Sequence, residues 1–180
     1  MDLSTSYMGL KLRNPLIVSS SRITSTVEDI KKCADYGAGA IVLKSLFEEQ
    51  FLANKERLED QDLKYFWFPE AVEFISQHSK EHGIKGYLKL IQGAKEVTDI
   101  PIIASVNCVT AHEWPRYCKE LVAAGADGVE LNIFIVPKDE KISSIEIEDL
   151  YIEIVKEVRK NVDVPIAIKI GPFFSNGFNL

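Results

Sequence analysis

Four apolar runs of strand length each end on a residue able to do chemistry: Lys44 closes AIVLK, Asn107 closes IIASVN, Asn132 closes VELN and Lys169 closes AIK. Enzymes built on parallel α/β barrels carry their working groups at the carboxyl ends of the strands, where loops vary without disturbing the packed interior. Side chains alternate across a strand, so Lys44 shares a face with Val42 and Ala40, Asn132 with Glu130, and Lys169 with Ala167. Two ammonium groups and two amides meeting at one mouth suit a planar, electron-rich ligand. Lysine stabilises negative charge on a reduced ring, and asparagine fixes the ring edge by donating and accepting. Glu130 is the expected buried counter-charge for one of the lysines. A single Lys or Asn at a strand end is ordinarily where the chain meets water; recurrence at four ends with one inward parity is what favours a site.

Other chemistry-bearing residues offer less. His112 follows a helix cap, and His78 and His82 fall in a polar stretch, so all three read as surface residues. The aromatic run Tyr65 to Phe68 reads as a satellite core under a long loop, with a lid over a flat ligand as the alternative. Cys33, Cys108 and Cys118 are an odd number without metal-ligand spacing, which points to reduced thiols and no metal site. Cys108, just past Asn107, is expected to be buried and inert.

With 46% apolar and 27% charged residues, the composition is that of an ordinary globular domain. A net charge of -6 argues against nucleic-acid binding, which needs clustered Lys and Arg. No run approaches the roughly 18 apolar residues of a membrane span, and the N-terminus lacks a signal-peptide layout. The expected setting is cytoplasmic, with a small-molecule substrate and no membrane partner.

The elements that must position these residues follow from periodicity. Strand-length apolar runs alternate with longer helical segments, the pattern of a parallel sheet covered on its outer face. Strands are expected at Pro15 to Ser19, Ala40 to Leu46, Pro101 to Asn107, Gly128 to Phe134 and Pro165 to Ile170. Helix starts are marked where a hydroxyl precedes Glu by three residues: Ser25 with Glu28, Thr110 with Glu113, and Ser143 with Glu146. Apolar stripes follow at Trp114, Tyr117, Leu121 and Val122, and at Leu150, Ile154, Val155 and Val158. Further helices are expected around Ala71 to Ser79 and from about Gly86 to Lys95.

ADYGAGAIVLK (34 to 44) parallels VAAGADGVELN (122 to 132), and TDIPIIASV (98 to 106) parallels VDVPIAIKI (162 to 170), as repeated βα units would. Gly37 and Gly125 supply the left-handed residue that ends a helix. Leu3 to Arg13 reads as a hairpin turning near Met8 and Gly9, placed to plug the bottom of a barrel. The fold class is therefore α/β: a parallel (β/α)8 barrel of the TIM type with an N-terminal β-hairpin, one domain over 1–180, truncated after about five strands. An open doubly wound sheet shares the alternation, but the chain lacks its GxGxxG.

The segments NPLIVSSS (14 to 21), AIVLKS (40 to 45), ELNI (130 to 133) and PIAIKI (165 to 170) resemble the flavin-barrel segments of dihydroorotate dehydrogenases, and the resemblance spans nearly the whole chain. It implies FMN as cofactor. The implied binding set is Ser19, Ser20, Ser21, Lys44, Ser45, Asn107, Asn132 and Lys169, with Lys44 and Asn132 also taking part in catalysis. Members of that family take a proton and a hydride from dihydroorotate, using a Cys or Ser on the loop after the ELN strand as base. Here that loop is FIVPKD (134 to 139), with Ile135 in the place of the base. Phe134, Ile135, Val136 and Pro137 cannot accept a proton, which leaves Asp139 as a substitute. The family's Asn-containing loop after the second strand is not recognisable.

A closed barrel needs eight strands in roughly 250 residues, and its phosphate-binding loops follow the seventh and eighth. The resemblance thus implies an FMN-dependent oxidoreductase acting on a CH–CH bond of a small cyclic substrate, in pyrimidine biosynthesis or a related route, without its usual base. The alternatives are a non-catalytic remnant that binds partners or oligomerises, with a homo-oligomer expected from its open sheet edges, and a barrel using Lys44 or Lys169 to form a Schiff base.

Overall fold

The computed structural model of the chain describes residues 1–48, 84–108, 113–135 and 141–171. Two short antiparallel strands, β1 (Thr5–Tyr7) and β2 (Leu10–Leu12), form the N-terminal hairpin. Its two-residue turn holds both Met8 (φ 55) and Gly9 (φ 81) in the left-handed region, the geometry that matches the twist of paired strands. The Met8 methyl lies where a Cβ on Gly128 would meet it at 3.3 Å, so the hairpin covers the amino end of the main sheet as expected.

That sheet is parallel and curls into a half-barrel. It runs from β3 (Ile17–Val18) through β4 (Ala40–Val42), β6 (Ile102–Asn107) and β7 (Gly128–Asn132) to β8 (Ile166–Lys169), with β5 (Leu46–Phe47) also pairing with β6. Helices α1 (Val27–Asp35), α2 (Ile84–Val97), α3 (Glu113–Ala123) and α4 (Ser144–Arg159) cover its outer face. The core lies between these layers. Ile41, Leu43, Ile102, Ala104, Val129 and Leu131 from the sheet meet Ile30, Ile91, Trp114, Leu121 and Val158 from the helices, all fully buried. Continuous burial along β6 is what a strand covered on both faces requires.

Local signals account for most of the helix ends. Ser143 and Glu146 form the expected reciprocal cap of α4. Gly37 (φ 98) and Gly125 (φ 107) follow α1 and α3 in the left-handed conformation. The side chains of Arg13 and Asn14 donate to the carbonyls of Ala34, Ala38 and Gly37, satisfying the end of α1 from the hairpin's exit. At the start of α1 the expectation is off by one. Thr26, not Ser25, accepts from the Asp29 N–H, while Ser25 turns back to the Arg22 carbonyl of a preceding 3-10 turn. On α4, Tyr151 joins Ile154 and Val158 as a buried residue, with Leu150 and Val155 partly buried against the same core. Thr110 and the Ala71 to Ser79 helix lie outside the described residues.

The strand expected over Ala40 to Leu46 is broken. Val42 stands opposite Ile103 and Leu46 opposite Val106, so this strand position carries one residue more than its partner between those pairs. Leu43 and Leu46 both lie in the helix-facing core. The pair Lys44 and Ser45 therefore occupies the place that strict alternation gives to one inward residue, a bulge of the kind found beside functional sites. Tyr87 of α2 reaches this break: the Ser105 N–H donates to its hydroxyl, which donates to the Ser105 carbonyl, both at 3.1 Å.

Candidate functional site

The inward faces of the strands carry a connected polar cluster at their carboxyl ends. Ser20, just past β3, accepts the Ser45 N–H at 3.0 Å and has its hydroxyl 3.2 Å from the Ser45 hydroxyl. The Ser45 hydroxyl lies 2.8 Å from that of Ser105, which donates to Glu130 Oε1 at 2.7 Å. Lys169 Nζ donates to the same Glu130 oxygen at 3.1 Å. Asn132 Nδ2 reaches the Ser45 hydroxyl at 3.5 Å, and Asn107 Nδ2 donates to the Asn132 carbonyl at 2.7 Å. Register produces this convergence, because Ser105 pairs with Glu130, Glu130 with Ala167, and Asn132 with Lys169.

Of the residues expected from sequence, Ser20, Ser45, Asn107, Asn132 and Lys169 are joined here, and Glu130 is the counter-charge of Lys169. Ser19 and Ser21 are exposed; Ser21 frames the 3-10 turn through its N–H and carbonyl to the Thr24 hydroxyl. Lys44 is half-buried beside the cluster in sequence, its N–H donating to the Thr24 carbonyl at 3.3 Å. Desolvation, and secondarily the charge of Arg22, hold its ammonium below the ordinary lysine value. The bulge puts Lys44 together with Ser45 at the inward place that alternation gives to one residue after Leu43.

Two members of the cluster lay hidden in the sequence. Ser105 shares inward parity with Asn107 and could have been found from that. Tyr87 could not, because its role depends on where α2 crosses β6. Burial drives its phenol well above the usual tyrosine value.

Ile135 packs against the helix-facing core, and its N–H donates to the Tyr151 hydroxyl at 3.4 Å. It offers the site neither a proton acceptor nor a side chain. Phe134 is exposed on the other parity. Val136, Pro137, Asp139, the aromatic run 65–68 and all three histidines lie outside the described residues. Cys108 and Cys118 are buried thiols, and desolvation raises both, Cys118 to about 12. Cys33 is half-buried. Among the described residues there is no cluster of potential metal ligands and no helix long and apolar enough to cross a membrane.

The chain resembles solved structures of parallel barrels. An IMP dehydrogenase/GMP reductase-like protein from Corynebacterium glutamicum superposes with a TM-score of 0.52 at 13% identity, over 93% of this chain and 42% of that one. A phosphonopyruvate hydrolase gives 0.51 at 13% identity, over 87% and 48%. At such identities the likeness concerns the fold alone. Among curated proteins, the catalytic subunit of dihydroorotate dehydrogenase B (NAD(+)) from Thermoplasma volcanium is 29% identical over 97% of this chain and 56% of its own length. The PreA subunit of an NAD-dependent dihydropyrimidine dehydrogenase from Escherichia coli K12 is 29% identical over 73% of this chain and 32% of its own. The chain thus spans about half or less of these relatives. The family model for dihydroorotate dehydrogenase matches residues 2–177, and with the half-barrel and its strand-end cluster this shows that the chain belongs to the dihydroorotate dehydrogenase family.

Proposed function

We propose that the chain forms the ring-binding half of an FMN-dependent oxidoreductase acting on a CH–CH bond of a small cyclic substrate of the dihydropyrimidine class. The observation that carries this reading is the joining of Ser20, Ser45, Asn107, Asn132 and Lys169 at the carboxyl ends of successive parallel strands. These groups fit the polar edge of a flavin ring. Lys169 is 44% exposed at its side chain, which leaves donors of its ammonium accessible beside the bond to Glu130. Asn132 and Asn107 supply amides, and Ser20 a hydroxyl. The phosphate site of a barrel of this kind follows strand positions seven and eight, which are not among those described.

Bound flavin would supply a hydride acceptor. The chain's own residues would do the rest. Lys169 would place positive charge at the ring edge, the amides would fix the plane of the ligand, and the half-buried Lys44 would offer a cation at the bulge. Ser20 would stand at the rim with its hydroxyl directed into the cluster. Titrating the purified protein with FMN checks this: quenching of flavin fluorescence with a shifted absorption band is expected, and Lys169→Ala should weaken binding at least tenfold. Unchanged flavin fluorescence over the whole titration would remove the oxidoreductase reading.

A second reading draws on a different observation. Ile166 on β8 packs against the helix-facing core, but Ile168 and, just past the strand, Ile170 are exposed, so the carboxyl end of this outer face has no covering among the described residues. A module that binds a partner or a second copy through this edge needs no catalysis, and it would associate without FMN.

A further inference from the structure

We propose that Glu130 is the proton acceptor of this site and that protons reach it from the rim through the hydroxyls of Ser20, Ser45 and Ser105. The proposal rests on the dehydrogenase reading and names a base for it. A reaction that removes a proton and a hydride from adjacent carbons requires an acceptor for the proton; of the described residues just after β7, Ile135 turns into the helix-facing core and Phe134 has no acceptor group.

Hydrogen-bond bookkeeping fixes the direction of the chain. Each serine hydroxyl has one proton to give. That of Ser105 is committed to Glu130 at 2.7 Å. The proton between Ser45 and Ser105, 2.8 Å apart, must then come from Ser45. The proton between Ser20 and Ser45, 3.2 Å apart, must in turn come from Ser20, whose oxygen also accepts the Ser45 N–H. All three hydroxyls point one way, toward the carboxylate, and polarise one another. Among the described residues, Ser105 from β6 and Lys169 from β8 hydrogen-bond Glu130.

The step balances. A C–H bond of the substrate breaks and an O–H bond forms at Ser20; the Ser20 proton passes to Ser45, that of Ser45 to Ser105, and that of Ser105 to Glu130, which becomes the neutral acid. The electron pair of the broken bond becomes the new C=C bond as the neighbouring carbon gives up its hydride to the flavin. Every serine ends as a hydroxyl with its hydrogen bond reversed.

Ser20 touches Ser45 and not Glu130, so coupling between the two ends separates a relay from a set of structural serines. In FMN-free protein labelled with 13C at glutamate carboxyls, with the Glu130 signal assigned by its loss in Glu130→Gln, Ser20→Ala should move that signal and Ser20→Thr should restore it. An unchanged Glu130 signal in a folded Ser20→Ala protein overturns the relay. With FMN at saturation and a dihydropyrimidine added without oxygen, Glu130→Gln should slow flavin bleaching at least 100-fold. Bleaching at the parent rate in Glu130→Gln overturns the acceptor role. A parent protein that binds FMN but is bleached by no dihydropyrimidine sinks the dehydrogenase reading and with it Glu130 as substrate base, while the FMN-free signal still reports whether the hydroxyls are coupled.

Discussion

Lys44 shows how much a single side chain owes to its surroundings. On α1, Lys31 and Lys32 sit beside carboxylates, and Lys32 is raised chiefly by its hydrogen bonds to Glu28 and Asp29. Lys44 moves the other way because partial burial strips water from the ammonium and Arg22 adds a like charge. At a given alkaline pH it therefore exposes more neutral amine than Lys32 does. Competitive acylation with a limiting reagent, read by peptide mass spectrometry across pH, should show Lys44 becoming reactive at lower pH than Lys32. Arg22→Ala should move that onset upward, since it removes the repulsion. The sign for folding follows: a lysine depressed in the native state costs stability at neutral pH, and the cost fades as pH rises from the native value through the ordinary one. A lysine that titrates with its neighbours would show that the bulge leaves it solvated.

Elements are held together here by what the bulge leaves open. One additional residue between Val42 and Leu46 frees the Ser45 N–H for Ser20 and leaves the Ser105 N–H to the Tyr87 hydroxyl. Tyr87→Phe keeps the ring and removes the acceptor from a buried N–H, a loss of about 1–3 kcal/mol by the general cost of such a group. Urea unfolding should show a lower midpoint with an unchanged slope. A Phe variant as stable as the parent would mean that the strand relaxes to make its own bond. This is also where sequence reading reached its limit. Caps such as Ser143 with Glu146, helix-ending glycines and the Met8–Gly9 turn are set within a few residues, and they could be read from the chain. Register is set by the partner strand, so the additional residue at Lys44 and Ser45 is invisible in AIVLKS. β7 and β8 pair without a slip, and Glu130, Asn132 and Lys169 share the face that alternation gives them. Ile135 was assigned by its place in a motif, and alternation from Asn132 already put it on the other face.

At the scale of the whole molecule, a half-barrel has a problem that a closed one lacks. A sheet edge presents unpaired backbone groups, and a sheet face built for a helix presents apolar side chains. Leu131 on β7 is fully buried beneath the helix layer, whereas Ile168, its neighbour on β8, is 46% exposed. The same face thus passes from core to surface across one strand. Either a further stretch of polypeptide or another molecule should cover it, because water contact along this edge wastes the burial that stabilises the rest of the sheet. Purified as the sequence stands, the chain should associate, with an average mass by light scattering that grows with concentration. Ile168→Lys puts a charge on the open face without touching the inward cluster, since Lys169 alone of that pair faces Glu130. It should shift the mass toward the monomer while leaving the far-ultraviolet circular dichroism unchanged. A parent chain that stays monomeric at high concentration would show that this edge protects itself, and the binding-module reading would lose the surface on which it rests.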